Sequence, residues 1–244
     1  MVLVPVGGTY QYDRQEISCR ETWANPQFHP KDCKVYFVRG NPAMPKTAKT
    51  VDEIIATKVD IDHDTRTIYA DVPDAWGYLT FKGMLALVEL SKSFSWDYFV
   101  RPNSGSYANL NLLSETLKSL PNRNMMYSVP MHYMGVNYGS GACFTVTSDL
   151  SDKLLNSLHQ AMHTQMHYTI ADDVLYGHIM GGKIHAAPRI EVGRISEDGK
   201  KTPIGKQVTD DPLSWFDSTC YHYWFASSRT DKAHYAVHKL FYPS

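Results

Sequence analysis

Two adjacent carboxylates, Asp172 and Asp173, head the run Val174-Leu175-Tyr176-Gly177, and a helix is expected over residues 172–180, stopped by Gly181-Gly182. A carboxylate at a helix start meets backbone amides that lack helical partners, which fixes its position and favours its charge. Such a group can take a proton from an attacking hydroxyl, but Asp-Asp is also an ordinary N-cap pair, and the two residues alone leave both open. Near the start of the chain Gly7-Gly8 ends an apolar run, with Arg14 and Arg20 downstream. Glycines at a strand end let amides approach a phosphate or nucleobase, and a guanidinium adds bidentate contacts to a diphosphate. His159, His163 and His167 recur every four residues and share a helical face. No HExxH accompanies them, so they read as a surface stripe rather than a zinc site. Cys19, Cys33, Cys143 and Cys220 show no CxxC pair or metal-ligand spacing and read as free thiols in a reducing compartment.

These residues need a scaffold, and the chain alternates strand-like and helix-like segments. Strands are expected at residues 2–6, 34–40, 67–72, 96–100 and 144–147. Helices are expected at 13–23, 47–56, 79–94, 109–119 and 150–167, the last with Ser148-Asp149 as its N-cap pair. Alternation of this kind predicts an α/β fold with a mostly parallel sheet. Beyond residue 183 the pattern breaks into short pieces. No repeat, low-complexity tract or linker divides the sequence, which reads as one domain over residues 1–244.

At 244 residues with a formal charge of −1, nothing global points to nucleic acid or an anionic membrane. No stretch approaches the ~20 apolar residues of a membrane span, and the apolar N-terminus lacks the basic region of a signal peptide. The 16 Tyr and 5 Trp would suit sugar-binding faces, but ordinary cores use them as well.

Five short motifs in a fixed order go further: Arg20-Glu21-Thr22-Trp23, the run from Asp71 through Asp74 and Trp76 to Leu79-Thr80-Phe81-Lys82, Asp97-Tyr98-Phe99-Val100 with Asn109, Tyr138-Gly139-Ser140-Gly141-Ala142, and Asp172-Asp173-Val174-Leu175-Tyr176-Gly177. Together they resemble the inverting β-1,3-glycosyltransferases, the galactosyltransferase and Fringe-like group. The resemblance implies a glycosyltransferase-A-type, Rossmann-like fold with a mixed, mostly parallel sheet flanked by helices. It also implies hexosyl transfer from a UDP-sugar donor to a glycan acceptor, with inversion to a β-linkage. By carry-over Asp173 is the catalytic base and Asp172 its support or an acceptor ligand. Donor-side roles fall to Gly7, Gly8, Arg14, Arg20, Asp74, Lys82, Arg101, Asn103, Ser104, Gly105, Ser140, Gly141 and His222.

One motif departs from the family. Where the family carries an Asp-x-Asp that binds Mn²⁺ or Mg²⁺, this chain reads Asn103-Ser104-Gly105. Neutral oxygens hold such cations weakly, so no metal ligand is named and no cofactor is expected, with three outcomes open: metal-free catalysis, Mn²⁺ or Mg²⁺ held by other groups, or lost activity. Metal-free relatives of this fold, the branching β-1,6-N-acetylglucosaminyltransferases, have a comparably Ser-rich turn and offset leaving-group charge with basic side chains. Arg101, Lys82 and Arg229 are the candidates here. A branching enzyme of that kind and an inactive glycan- or nucleotide-binding module are the alternatives. Eukaryotic members of the family carry an N-terminal anchor that this chain lacks, which suggests a cytoplasmic microbial or viral enzyme, or an excised domain.

Overall fold

The computed structural model describes residues 1–44, 50–133, 135–168, 170–193, 206–207, 216–225 and 231–243. The first half contains β1 (Val2–Pro5), α1 (Tyr10–Glu21), β2 (Val35–Asn41), α2 (Val51–Ile55), β3 (Val59–Asp62), β4 (Thr67–Pro73), α3 (Leu79–Ser91), β5 (Tyr98–Pro102), β6 (Ser106–Ala108) and α4 (Leu110–Leu117). There follow β7 (Met125–Tyr133), β8 (Val136–Thr147), α5 (Ser148–Asn156), α6 (Leu158–Tyr168), α7 (Asp172–Met180), β9 (Lys183–Ala186), β10 (Ile190–Gly193), β11 (Lys206–Gln207), β12 (His222–Trp224) and α8 (Asp231–Phe241). They fall into two compact units. The first is Met1–Thr9, Lys34–Asn103 and Pro121–Ala187; the second is Tyr10–Cys33, Ser104–Leu120 and Pro188–Ser244.

The first unit is an eight-stranded mixed sheet in the order β3-β4-β2-β1-β5-β8-β7-β9. Four of its seven ladders are parallel, including the central run β4-β2-β1-β5. Central strands are buried on both faces, which is why β1 reads as an unbroken apolar run with every residue buried. Nearer the edge, β4 alternates: Ile68, Ala70 and Val72 are buried while Tyr69 and Asp71 are exposed. The core on the buried face takes Leu85, Leu87 and Leu90 from α3, Val51 and Ile54 from α2, Leu150 and Leu154 from α5, and Leu175 and Met180 from α7. Each such side chain contributes roughly 1.5–3 kcal/mol when taken out of water. Helix α2 starts on a full capping box between Thr50 and Glu53. Helix α7 spans the expected residues and stops at Gly181 and Gly182, whose φ angles of +57° and +95° suit glycine.

Three expectations are corrected here. The strand expected at 144–147 begins eight residues earlier, so residues 138–142 lie inside the twelve-residue strand β8, which forms a hairpin with the unforeseen β7. The long helix expected at 150–167 is two helices, α5 and α6, broken at Ser157. Thr147 precedes α5, and Asp149 instead accepts the Asn124 N–H at 3.0 Å.

In the second unit β11-β10-β12-β6 form a small sheet, and α1 and α8 pack together. Ser18 Oγ meets His234 Nδ1 at 2.8 Å between those helices, and Tyr107 stacks on Phe241 at 5.8 Å. None of the four cysteines is in a disulfide. Among the described residues no helix is long and apolar enough to cross a membrane.

Candidate functional site

Two of the motifs, some thirty residues apart in sequence, lock into each other in the first unit. On α7, Asp173 and Gly177 are four residues apart and share one face, which lies against β8. The Gly141 N–H donates to Asp173 Oδ2 at 2.8 Å, and the Val174 N–H donates to Asp173 Oδ1 at 3.0 Å. A side chain at Gly141 would put its Cβ 2.7 Å from Asp173 Oδ2, and one at Gly177 would put its Cβ 2.3 Å from Tyr138 Cβ. Gly139 is equally confined on the other side, 2.7 Å from Ser128 Cβ on β7. The small residues of the motif are thus what lets α7, β8 and β7 close on one another.

Arg101, on β5, completes the cluster. Its Nη2 donates to Asp172 Oδ2 and its Nη1 to the Gly141 carbonyl. Gly141 is therefore held from both sides, its carbonyl by Arg101 and its N–H by Asp173. Arg101 is 5% exposed, and its Nε has no hydrogen-bond partner among the described residues. The adjacent carboxylates are divided by their partners: Asp172 is neutralised by a guanidinium, while Asp173 faces backbone amides.

Burial, followed by the charge of Asp172, raises the Asp173 pKa above the ordinary carboxylate value, against the opposing pull of Arg101 and the two amides. Burial also raises the phenols of Tyr138 and Tyr176, and in Tyr138 the Asp173 charge adds to it. The Cys143 thiol, buried on the same strand, is pushed up to about 12 and stays a neutral packing group. A half-buried carboxylate of raised pKa, held at a fixed angle, is equipped to accept a proton from a hydroxyl.

The second cluster of the unit is the ion pair of Asp74 and Lys82, with side chains 3% and 0% exposed and Nζ 2.5 Å from Oδ1. Lys82 Nζ also donates to the Val6 carbonyl, and the Gly40 N–H donates to Asp74 Oδ1 at 3.1 Å. Lys82 lies in the first turn of α3, where the helix dipole disfavours a cation, and Asp74 compensates. A Cβ at Gly8 would fall 1.9 Å from the Asp74 carbonyl oxygen. The pair thus fastens the end of β1 and its Gly7-Gly8 exit to the loop after β4.

Asn103 N–H donates to the Ala142 carbonyl at 2.9 Å in the first unit. Ser140 is 7% exposed, and its Oγ accepts from the Ala142 N–H at 3.4 Å. In the second unit Ser104 is buried with its Oγ donating to Gln15 Oε1 at 2.9 Å, and the Gly105 carbonyl accepts from the Phe225 N–H at 3.1 Å. Arg14 pairs with Asp231 on the surface, and Arg20 pairs with Glu16 one turn back at 2.5 Å. His222 is 1% exposed with Nε2 3.2 Å from Ser106 Oγ, and burial pushes its pKa down to about 3, so it is neutral. Arg229 lies outside the described residues.

The stretch at 103–105 does not fit a divalent cation. It offers no carboxylate, and the Ser104 hydroxyl is committed to Gln15. Among the described residues no group of three or more His, Cys, Asp or Glu is arranged to hold a metal ion. On α6, His159 stacks on His163 at 6.3 Å and lies 3.8 Å from Asp52. Tyr138 and Gly177 were not singled out from sequence as site residues. The signal was present, since a glycine four residues after a candidate catalytic carboxylate marks the same helix face.

No protein-family model matches the chain, and no curated protein matches it. Solved structures with some likeness include the galactosyltransferase LgtC in complex with donor and acceptor sugar analogs, at 9% identity and a TM-score of 0.49, covering 100% of this chain and 97% of that one. An active-site mutant of LgtC follows at 11% identity and a TM-score of 0.45, covering 93% and 87%. The glycosyltransferase GlyE of Streptococcus pneumoniae follows at 12% identity and 0.42, covering 77% and 45%. At these scores the likeness assigns no activity to this chain.

Proposed function

We propose that this chain is a glycosyltransferase of the glycosyltransferase-A type that moves a sugar from a UDP-sugar to a hydroxyl of a glycan acceptor. The transfer proceeds with inversion and without a metal ion. The observation that carries the reading is Asp173, a raised-pKa carboxylate anchored to Gly141 within the motif pair that resembles the β-1,3-glycosyltransferases. In the proposed step the acceptor oxygen attacks the anomeric carbon from the face opposite the diphosphate. Its proton passes to Asp173, the new glycosidic bond forms, and the bond to the diphosphate breaks with its electron pair leaving on UDP. Asp172 holds Arg101, and Arg101 in turn is the cation whose charge is felt at Asp173. Donor binding falls to the carboxyl end of β1 around Gly7-Gly8, where ligands of open α/β sheets sit at the switch in strand order between β1 and β5.

The test is Asp173→Asn assayed for UDP release with donor and acceptor, for UDP binding, and for melting temperature. Loss of the base should cost roughly 10²–10⁴ in rate, with UDP affinity unchanged. Asn keeps one acceptor oxygen, enough for the Gly141 N–H but not also for the Val174 N–H, and it removes a charge that burial and Asp172 both disfavour; the two effects oppose each other, so the melting temperature should change little. A variant that melts earlier yet turns over normally would make Asp173 a structural residue only. The anomeric configuration of the product, read by NMR, separately decides inversion.

One observation favours a second reading. Lys82 and Arg101, two of the cations nominated for the leaving diphosphate, are engaged with Asp74 and Asp172. A glycan- or nucleotide-binding module without transfer would need neither. UDP binding without UDP release, across acceptors, would favour that module.

A further inference from the structure

A cavity of about 270 Å³ opens in the first unit at the edge of the sheet, lined among others by Gly40 and Asn41 at the end of β2, Lys58 and Asp60 at β3, and Tyr69 and Asp71 on β4. It lies on the flank of the sheet away from β5 and α7, the elements that carry Arg101 and Asp173. The Gly40 backbone separates it from the buried Asp74–Lys82 pair: its N–H donates to Asp74, and a Cβ there would fall 2.7 Å from Asp74 Cα.

The lining centres on β4, which lies between β2 and the edge strand β3. Tyr69 leaves 47% of its surface exposed, between the buried Ile68 and Ala70. Asp60 stands opposite it in the β3–β4 register, so a ring face and a carboxylate share one side of the sheet. Asn41 Nδ2 donates to Asp71 Oδ1 at 2.8 Å, which fixes an amide and a second carboxylate at the rim. Lys58 pairs with Asp60 at 2.8 Å. The charged lining groups Lys58, Asp60 and Asp71 sum to −1, but Arg39 on β2 stands in register with Tyr69 on its other side, so charge does not choose between a sugar and a phosphate. An exposed tyrosine face suits the apolar C–H face of a pyranose, and carboxylates and an amide are acceptors and donors for hydroxyls. The volume is just below the ~300–1,000 Å³ of pockets for drug-sized ligands, which matches one sugar ring better than a nucleotide-sugar.

We propose that this cavity binds a neutral monosaccharide unit of a glycan, with Tyr69 carrying the ring and Asn41, Asp60 and Asp71 meeting its hydroxyls. It is a carbohydrate subsite separate from the Asp173 cluster. Its occupancy is independent of transfer and is measured with no donor present, so its failure and that of the transfer reading are told apart.

The experiment is an NMR titration of the full chain with methyl glycosides of neutral hexoses, deoxyhexoses, pentoses and N-acetylhexosamines, and separately with uridine and inorganic pyrophosphate. At least one glycoside should shift the amides of residues 40, 41 and 69–71 saturably. Tyr69→Ala should weaken that binding about tenfold, and Tyr69→Phe should keep it within about twofold. Both variants change an exposed side chain, and unchanged melting temperatures verify their folding. The proposal is overturned if no glycoside class binds at these residues, or if Tyr69→Ala binds as well as the wild type. Tighter occupancy of the same amides by uridine or pyrophosphate would also overturn it, in favour of a nucleoside or phosphate site.

Discussion

Replacing Gly141 with alanine separates a glycine that serves the chemistry from one that serves the fold. The added Cβ would stand 2.7 Å from Asp173 Oδ2, 3.0 Å from its Cγ and 3.1 Å from its Cβ. Ordinary contact begins at 3.4 Å, so the carboxylate must retreat by roughly 0.7 Å or the strand must shift. A flexible side chain moves more cheaply than β8, which is paired on both sides by β5 and β7. Retreat strips the Gly141 N–H of its acceptor, a cost of about 1–3 kcal/mol if the amide stays buried. For a chain of this size that lowers the melting temperature by about 2–4 °C per kcal/mol. The effect on rate is of similar size. A displacement approaching 1 Å in a catalytic group costs on the order of 10²-fold, or about 2.7 kcal/mol of barrier. Gly177→Ala is the control, because its Cβ would meet Tyr138 at 2.3 Å from Cβ and 2.9 Å from backbone Cα, and a strand backbone cannot swing away. UDP release and thermal melting on both variants decide the matter. Gly141→Ala should be folded and slow, and Gly177→Ala poorly folded. Wild-type turnover in a folded Gly141→Ala would refute the claim that the Asp173 position matters to chemistry.

The raised pKa of Asp173 makes a pH prediction with opposite signs for activity and stability. With Asp173 as the proposed base, turnover would need the ionised form, and kcat/KM should rise with pH along a limb displaced above the ordinary carboxylate value of about 3.9. The stability contributed by the protonated group is fully present below the unfolded pKa and is lost as pH rises through the folded one; denaturant melts of wild type and Asp173→Asn across that range should show the loss only in the wild type. Lys82→Met strands a buried Asp74 charge and should cost about 3–5 kcal/mol, whereas Lys82→Met with Asp74→Asn should recover most of it; equal losses in chemical denaturation would mean that the pair is not coupled. Activity should survive EDTA, because residues 103–105 offer no carboxylate. A fall of more than about tenfold, or ~1.4 kcal/mol, that Mn²⁺ restores would show a cation held by other groups.

The strands and helices of the central α/β sheet were legible because buried parallel strands leave apolar runs and α7 carries its glycine stop in plain sight. What was not legible has definite causes. Gly139-Ser140-Gly141-Ala142 has poor strand propensity, yet it forms the middle of β8 because only small residues let β7 and α7 approach from their two directions. Local composition pointed to a turn, and tertiary contact overrode it. Helix α8 went unread because its buried positions are His234 and Val237 alone. A histidine counts as polar in sequence, but His234 is fully buried beside Ser18, and burial pushes its pKa down to about 3, so it packs as a neutral ring.

For the site, the motifs were recognisable but their mutual contacts were not, since linear order does not say which strands are neighbours. Asp172 and Asp173 illustrate the difference. By residue type alone they are an interchangeable acidic pair at a helix start, and only the resemblance set Asp173 apart as the base. In the fold Asp172 is the second residue of an ion pair with Arg101, which reaches it from β5 only because β5 and β8 are adjacent in the sheet. Asp173 is left with amides, with burial, and with its neighbour's charge. Two adjacent carboxylates are thus given different surroundings, which is the means by which a fold can set chemically identical groups apart. The Arg101 contact follows from it as well. Its guanidinium holds Asp172 and the Gly141 carbonyl together, and Gly141 holds Asp173, so Arg101 is a positioning residue for a carboxylate that it does not bond.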